Sequence, residues 1–125
     1  MVTFTHHGDF SNTKRLLKRA AEAKVLHILE KYGREGVVAL SAATPVESGE
    51  TASSWTYEIK RSGSSFSLSW YNSHVEDGVN IAIILQYGHG TGTGGYVAGR
   101  DYINPAIRPI LDKLADNVWK EVTAL

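Results

Sequence analysis

The chain has no cysteine, no excess charge and no long apolar run. Without cysteine among its 125 residues, disulfides, thiolate catalysis and cysteine-ligated zinc are excluded. Thirteen basic residues balance thirteen acidic ones, so no net charge favours nucleic acid or an acidic tail. The longest apolar run, residues 81–85, is far below the roughly 20 residues of a membrane span.

The N-terminus also lacks the marks of a targeting segment. Residues 1–10 have neither the basic start nor the apolar stretch of a signal peptide, and we expect them to form an irregular, flexible arm. A chain of 125 residues can form one modest hydrophobic core. We therefore expect a single soluble domain, residues 1–125, made in the cytoplasm.

Apolar spacing predicts a long N-terminal helix beginning at Ser11, with Ser11 or Asn12 as its cap. Gly33 and Gly36 interrupt the pattern, so the segment is read as one bent helix or two in tandem. It ends near Ala43, because the residue before a proline is pushed out of the helical region. The apolar stripe consists of Leu17, Ala21, Val25, Ile28, Leu29 and Tyr32.

Two segments with period-two alternation follow and predict an antiparallel hairpin. One face carries apolar side chains with no basic residue among them, which indicates a core face and not a nucleic-acid platform. Val25, Ile28 and Tyr32 of the long helix are expected to cover it. The face consists of Trp55, Tyr57, Ile59, Phe66, Leu68 and Trp70.

The remaining elements are a short apolar segment and a closing helix. Residues 81–85 predict a third, buried strand, with a short helix as the open alternative. Asn104 and Pro105 resemble an N-cap and a first helical residue, yet Pro109 requires a kink or a start at that proline. We predict an α+β fold, with the N-terminal and C-terminal helices packed on a small antiparallel sheet made of the hairpin and one further strand.

A glycine-rich loop, residues 88–99, holds six of the twelve glycines. Gly90, Gly92 and Gly95 match G-x-G-x-x-G, but no helix start follows and the window lacks the lysine of a phosphate loop. Three interpretations stay open: a mobile surface loop, a ligand cradle, or a loop that becomes ordered against another subunit. The third assigns interaction to His89, Gly90, Thr91, Gly92, Thr93, Gly94, Gly95, Tyr96 and Arg100.

Motifs of catalysis or metal binding are not evident. No histidine has a carboxylate at ligand spacing, no carboxylate pair suggests an acid and a base, and no nucleophile elbow occurs. We expect no catalytic, cofactor-binding or metal residues, no cofactor and no enzymatic activity. The histidines are His6, His7, His27, His74 and His89.

Two segments together resemble a known family. Residues 43–55 read A-T-P-V-E-S-G-E-T-A-S-S-W, similar to the T-P-V-D-T-G … L-x-x-S signature of tailed-bacteriophage neck and tail-completion proteins, also described as minor tail components. Residues 85–92 and 101–106 read L-Q-Y-G-H-G-T-G and D-Y-I-N-P-A, similar to the E/Q-Y-G-T … P-F-L-x-P-A stretch of that family. The chain departs from the pattern at Glu47, Ser48, Glu50 and Thr51.

The resemblance covers about residues 11–124 and implies a non-enzymatic virion protein at the head–tail junction or the tail terminus, made in the cytoplasm of the host bacterium. It implies a six-fold ring of identical subunits around the DNA channel, in contact with neighbouring connector or tail proteins. DNA would at most pass through the lumen, without sequence-specific binding, and no membrane is involved. The alternative function is a small glycine-loop protein or enzyme that binds a nucleotide or phosphate.

Overall fold

The computed structural model describes residues 2–7, 15–45, 49–63, 65–90 and 92–123. In chain order the elements are β1 Val2–His7, α1 Arg15–Ala43, α2 Gly49–Ser53, β2 Trp55–Ser62, β3 Ser65–Asn72, β4 Val75–Glu76, β5 Val79–Asn80, α3 Ile81–Tyr87, β6 Gly88–Gly90, β7 Tyr96–Ala98 and α4 Ile103–Thr123. The predicted α+β fold is confirmed. The predicted caps Ser11 and Asn12 lie outside the described residues.

The main sheet is antiparallel and three-stranded, in the order β1-β3-β2. The predicted β2–β3 hairpin is confirmed, with Ile59 opposite Leu68. Its third strand is β1, where an irregular arm was predicted. The arm prediction was wrong for Val2–His7, whose apolar residues alternate with Thr3 and Thr5 as in a half-buried strand. Hydroxyl contacts support this pairing, with Thr3 Oγ1 3.0 Å from Ser69 Oγ.

Residues 81–85 belong to a helix, so the preferred strand prediction for them was wrong. The side chain of Asn80 caps α3 by accepting the N–H of Ile83 at 3.3 Å. Ala82 and Gln86 are its buried residues, spaced by four as on one helical face. Five apolar residues in a row do not reveal this period, whereas the preceding asparagine is a start signal that the sequence contained.

Gly33 and Gly36 lie within the continuous helix α1, where they allow the sheet to approach the helix backbone closely. A Cβ built at Gly36 would lie 2.6 Å from Cζ2 of Trp70, and one at Gly33 would lie 2.8 Å from Cε2 of Tyr57. The indole of Trp70 also donates its N–H to the Gly33 carbonyl at 2.9 Å. The two glycines are therefore packing positions on the helix face that meets the sheet.

Helix α1 packs against both the sheet and α4. Trp70 and Leu68 are fully buried from solvent, and they share one apolar cluster with Val25 and Tyr32 of α1, while Ile28 packs against its edge. The predicted core face of the hairpin is therefore confirmed. From α4 the cluster receives Ile103, Ile107, Leu114 and Val118.

Helix α4 begins at Ile103 and continues through Pro109. The prediction of Asn104 as N-cap with Pro105 as first helical residue was therefore wrong, as was a start at Pro109. The side chain of Gln86 accepts the N–H groups at the start of α4. Among the described helices, none combines the length and the hydropathy needed to cross a membrane.

Candidate functional site

The glycine-rich window, predicted as a loop over residues 88–99, forms a two-stranded antiparallel hairpin, β6–β7. Gly88 lies opposite Ala98, His89 opposite Val97 and Gly90 opposite Tyr96. The turn between them includes Gly92 and Gly94, whose φ angles of 80° and 89° favour glycine. Thr91 lies outside the described residues. Since a strand follows Gly95, the window lacks the helix that a dinucleotide fingerprint requires.

Two glycines hold the base of this hairpin against the end of α3. A Cβ at Gly99 would lie 2.5 Å from the Gln86 carbonyl oxygen, and one at Gly88 would lie 2.6 Å from the Val97 carbonyl oxygen. The Arg100 N–H donates to the Leu85 carbonyl at 3.0 Å just beyond the base. The base is therefore anchored by close backbone contact, which other residues at these two positions would prevent.

Beyond its base, the hairpin is exposed and carries large apolar side chains. Residues 92–101 are all exposed, so this segment adds nothing to the core. Tyr96 is 67% exposed and Val97 is 47% exposed, and Tyr87 at the end of α3 is 67% exposed. The hydroxyl of Tyr96 donates to the Tyr87 carbonyl at 2.8 Å, which links the hairpin to that helix end. We call Tyr87, Tyr96 and Val97 the hairpin patch.

The polar residues predicted for the interaction loop differ in environment. Arg100 is exposed. His89 is half-buried, and its Nδ1 atom has no hydrogen-bond partner within the part of the chain that the structure describes.

Gln86, which the sequence marks only as part of the second resembling segment, joins the hairpin to α4. Its Oε1 accepts the N–H of Tyr102 at 3.0 Å and that of Ile103 at 2.9 Å, and its Nε2 donates to Asp101 Oδ1 at 2.7 Å. The hydroxyl of Tyr102 donates to the Ala82 carbonyl at 2.7 Å. Gln86 thus satisfies N–H groups that the start of a helix leaves unpaired.

Thr44, from the first segment of the family resemblance, ends α1. Its hydroxyl donates to the Leu40 carbonyl at 2.7 Å and accepts the indole N–H of Trp55 at 2.8 Å. Thr44 and Trp55 are both buried. One side chain thereby satisfies a terminal helix carbonyl and fixes the first residue of β2.

The two resembling segments meet in space. An open groove of about 710 Å³ is bordered on one side by the end of α1 and on the other by the start of α4. The first segment contributes Thr44 and Pro45, and the second contributes Asp101, Tyr102 and Pro105. Arg100, which follows the hairpin, also lines this groove. The hairpin base, the groove and the two segments therefore form a continuous region of the molecule.

A second polar site surrounds His74, which is 6% exposed. His74 Nδ1 lies 2.6 Å from Thr51 Oγ1, while Nε2 lies 2.9 Å from Glu76 Oε1 and 3.6 Å from Glu50 Oε2. Asn72 fixes the backbone, since its Oδ1 accepts the His74 N–H and its Nδ2 donates to the Thr51 carbonyl. We call Glu50, His74 and Glu76 the His74 cluster.

His74 contacts a hydroxyl and carboxylates, which are the groups of a catalytic triad, but their arrangement is not that of a nucleophilic site. Thr51 is 0% exposed, so its hydroxyl cannot meet a substrate from solvent. The side chains of Glu50 and Glu76 are 70% and 63% exposed, which leaves the open side of the imidazole facing two carboxylates. This geometry suits the binding of a cation better than nucleophilic attack.

The expectation that no histidine has a carboxylate at ligand spacing was wrong for His74. Three possible ligand atoms of the cluster lie within 4.8 Å of one another. His74 and Glu76 are two residues apart, a spacing that places side chains on one face of an extended segment, and this signal was available. Glu50 comes from α2, a short helix that the sequence did not predict.

No protein-family model, curated protein or solved structure matches this chain.

Proposed function

We propose that this chain is a structural virion protein of a tailed bacteriophage. Its role would be that of a subunit in the neck or tail-completion ring at the head–tail junction. The observation that carries the proposal is the β6–β7 hairpin, which is anchored at its base and exposes the hairpin patch. Large apolar side chains grouped on an exposed element are typical of protein–protein contacts.

The kind of partner is indicated by the family resemblance. Neck and tail-completion proteins are resembled by residues 43–55, 85–92 and 101–106. Two segments far apart in sequence border the same groove, which supports treating them as one structural unit. Thr44 ends a helix and Gln86 caps another, so the resembling positions have definite structural tasks. The pattern carries Glu or Gln at the position of Gln86, and both side chains supply the required oxygen.

An assembly role also accounts for the exposed hairpin better than ligand binding does. A phosphate cradle directs several backbone N–H groups at one anion, usually beside a helix N-terminus. Here the window continues into strand β7, and residues 92–101 are exposed. We propose that the ring subunits contact one another or a neighbouring connector protein through the hairpin patch together with the exposed turn that joins β6 to β7.

The location of the chain in particles tests this function. Particles would be purified from cells in which the genome encoding this chain is expressed, and labelled with a gold-conjugated antibody against it. We expect one label cluster at the head–tail junction, and we expect mass spectrometry to find the chain in the particles. Particles that lack the chain, or label distributed over the head, would contradict the proposal.

A further inference from the structure

We propose that Glu50, His74 and Glu76 bind one divalent transition-metal ion of the Zn²⁺ class. This inference is independent of the proposed virion role. It rests on a buried imidazole whose outward nitrogen faces two carboxylates.

The spacing of the ligand atoms fits such an ion. Zn²⁺ binds nitrogen and carboxylate oxygen at about 2.0 to 2.2 Å, so two ligands of a tetrahedral site lie roughly 3.4 Å apart. The distances from His74 Nε2 are 2.9 Å to Glu76 Oε1 and 3.6 Å to Glu50 Oε2, on either side of that value. Small side-chain rotations of two exposed glutamates would equalise them.

The second nitrogen of His74, Nδ1, has the kind of hydrogen-bond partner that metal-binding histidines have. When Nδ1–H donates to Thr51 Oγ1 at 2.6 Å, the lone pair of Nε2 points at the carboxylates. A hydrogen bond from the non-ligating nitrogen fixes both the tautomer and the ring orientation in metal sites. Thr51 and Asn72 are themselves buried, so the imidazole is positioned before the ion arrives.

The charges of the His74 cluster also favour a divalent ion. The nitrogen Nε2 carries at most one proton to donate, whereas two carboxylates approach it. Across the described ranges, neither Glu50 nor Glu76 pairs with a lysine or arginine, and His74 is the partner of both. A divalent cation would neutralise both carboxylates, and a mixed nitrogen and oxygen ligand set suits Zn²⁺ or Mn²⁺ better than Mg²⁺ or Ca²⁺.

Bound metal would connect two parts of the fold. Glu50 lies in α2, within the first resembling segment, and Glu76 lies in β4. Three protein ligands leave one tetrahedral position for water or for a donor atom from another chain. The ion would therefore hold α2 to β4 and raise the free energy of unfolding by mass action.

Titration with ZnCl₂ of the full chain, prepared without a histidine tag, tests the site by calorimetry. We expect one Zn²⁺ per chain, and roughly tenfold or greater weakening in Glu50→Gln and in Glu76→Gln. Both glutamates are exposed, so the variants should fold. The matched control, Glu58→Gln, makes the same change at an exposed carboxylate outside the cluster and should bind as the wild type does.

Two further variants separate this site from other histidines and test the positioning role of Thr51. A chain with His6→Gln and His7→Gln should keep one Zn²⁺ site. With Co²⁺ as a visible-absorbing probe, Thr51→Ser should retain the tetrahedral spectrum, and Thr51→Val should lose it or bind roughly tenfold more weakly. Absence of stoichiometric binding, wild-type affinity in either glutamine variant, or loss of binding in the His6→Gln, His7→Gln variant would overturn the proposal.

Discussion

The side-chain oxygen of Gln86 accepts the backbone N–H of Tyr102 at 3.0 Å, and this bond fixes the start of α4 to the end of α3. The same oxygen accepts the next N–H, and the amide nitrogen donates to Asp101. Gln86 is only 6% exposed, so water cannot easily replace these bonds. The glycine hairpin lies between the two helices in sequence, and its base therefore depends on this side chain.

Replacing Gln86 by alanine should lower the free energy of unfolding by about 2 to 4 kcal/mol, because it leaves two buried N–H groups without an acceptor. Gln86→Glu retains the acceptor but sets a carboxylate against that of Asp101. Adding Asp101→Asn to Gln86→Glu restores a donor and should recover most of the loss. Urea denaturation measures all three, and a wild-type midpoint for Gln86→Ala would show that the cap is unimportant.

Gly36→Ala should destabilise the protein even though alanine is the better helix former. The added methyl would collide with Trp70, which is fully buried, and such overpacking costs about 1 to 3 kcal/mol. The gain in helix propensity, about 1 kcal/mol, offsets only part of this. Gly49→Ala is the control, since within the described part of the chain a Cβ at Gly49 would have no atom within 4 Å beyond its sequence neighbours. Thermal unfolding should show a lower Tm for Gly36→Ala alone, and a raised Tm would contradict the close packing.

Tyr102 should make the protein less stable at high pH. Burial raises the pKa of Tyr102 to about 12 from its ordinary value of 10.0. Between these values the unfolded chain has lost the phenol proton that the folded chain keeps, so the free energy of unfolding falls as pH rises. The slope is about 1.4 kcal/mol per pH unit from this group, and the contribution is intact below pH 10.0.

The comparison of wild type with Tyr102→Phe isolates that effect from other groups that titrate at high pH. Urea denaturation at several pH values between 9 and 12, roughly the range set by the two pKa values, should give a steeper decline for the wild type. Tyr102→Phe should not show this steeper decline of the free energy of unfolding with pH. It should also be less stable at neutral pH, because the hydrogen bond to the Ala82 carbonyl is gone. Parallel curves would show that Tyr102 titrates as an exposed phenol.

The sequence predicted those elements whose periodicity extends over many residues. Helix α1, the β2–β3 hairpin and the apolar face of Trp55, Leu68 and Trp70 are confirmed. The short segments were less predictable, because five apolar residues fit a strand and a buried helix equally well. That ambiguity explains why α3 was predicted to be a strand.

The candidate sites depend on contacts between distant positions, which local pattern does not encode. The glycine window was recognised as special, yet its pairing as a hairpin depends on the close approach of Gly88 and Gly99 to the backbone. The His74 cluster requires Glu50 of α2, which lies far from His74 in sequence. The role of Gln86 as a cap appears only when α3 and α4 are placed together.

Complementation of a genome that lacks this chain is the most direct test of the central claim, that the exposed hairpin mediates assembly. In the test variant, Asn-Gly replaces residues 91–95, because this turn preserves β6–β7 pairing while removing the tip. In the control, Asn-Gly replaces residues 63–64 between β2 and β3, where the turn already has two residues. Melting temperatures of both purified variants are measured in parallel.

We expect both variants to fold, since shortening a surface loop changes stability little. The control should support infection, whereas the hairpin variant should yield filled heads and finished tails that do not join. Normal infectious particles from a normally folded hairpin variant would contradict the account.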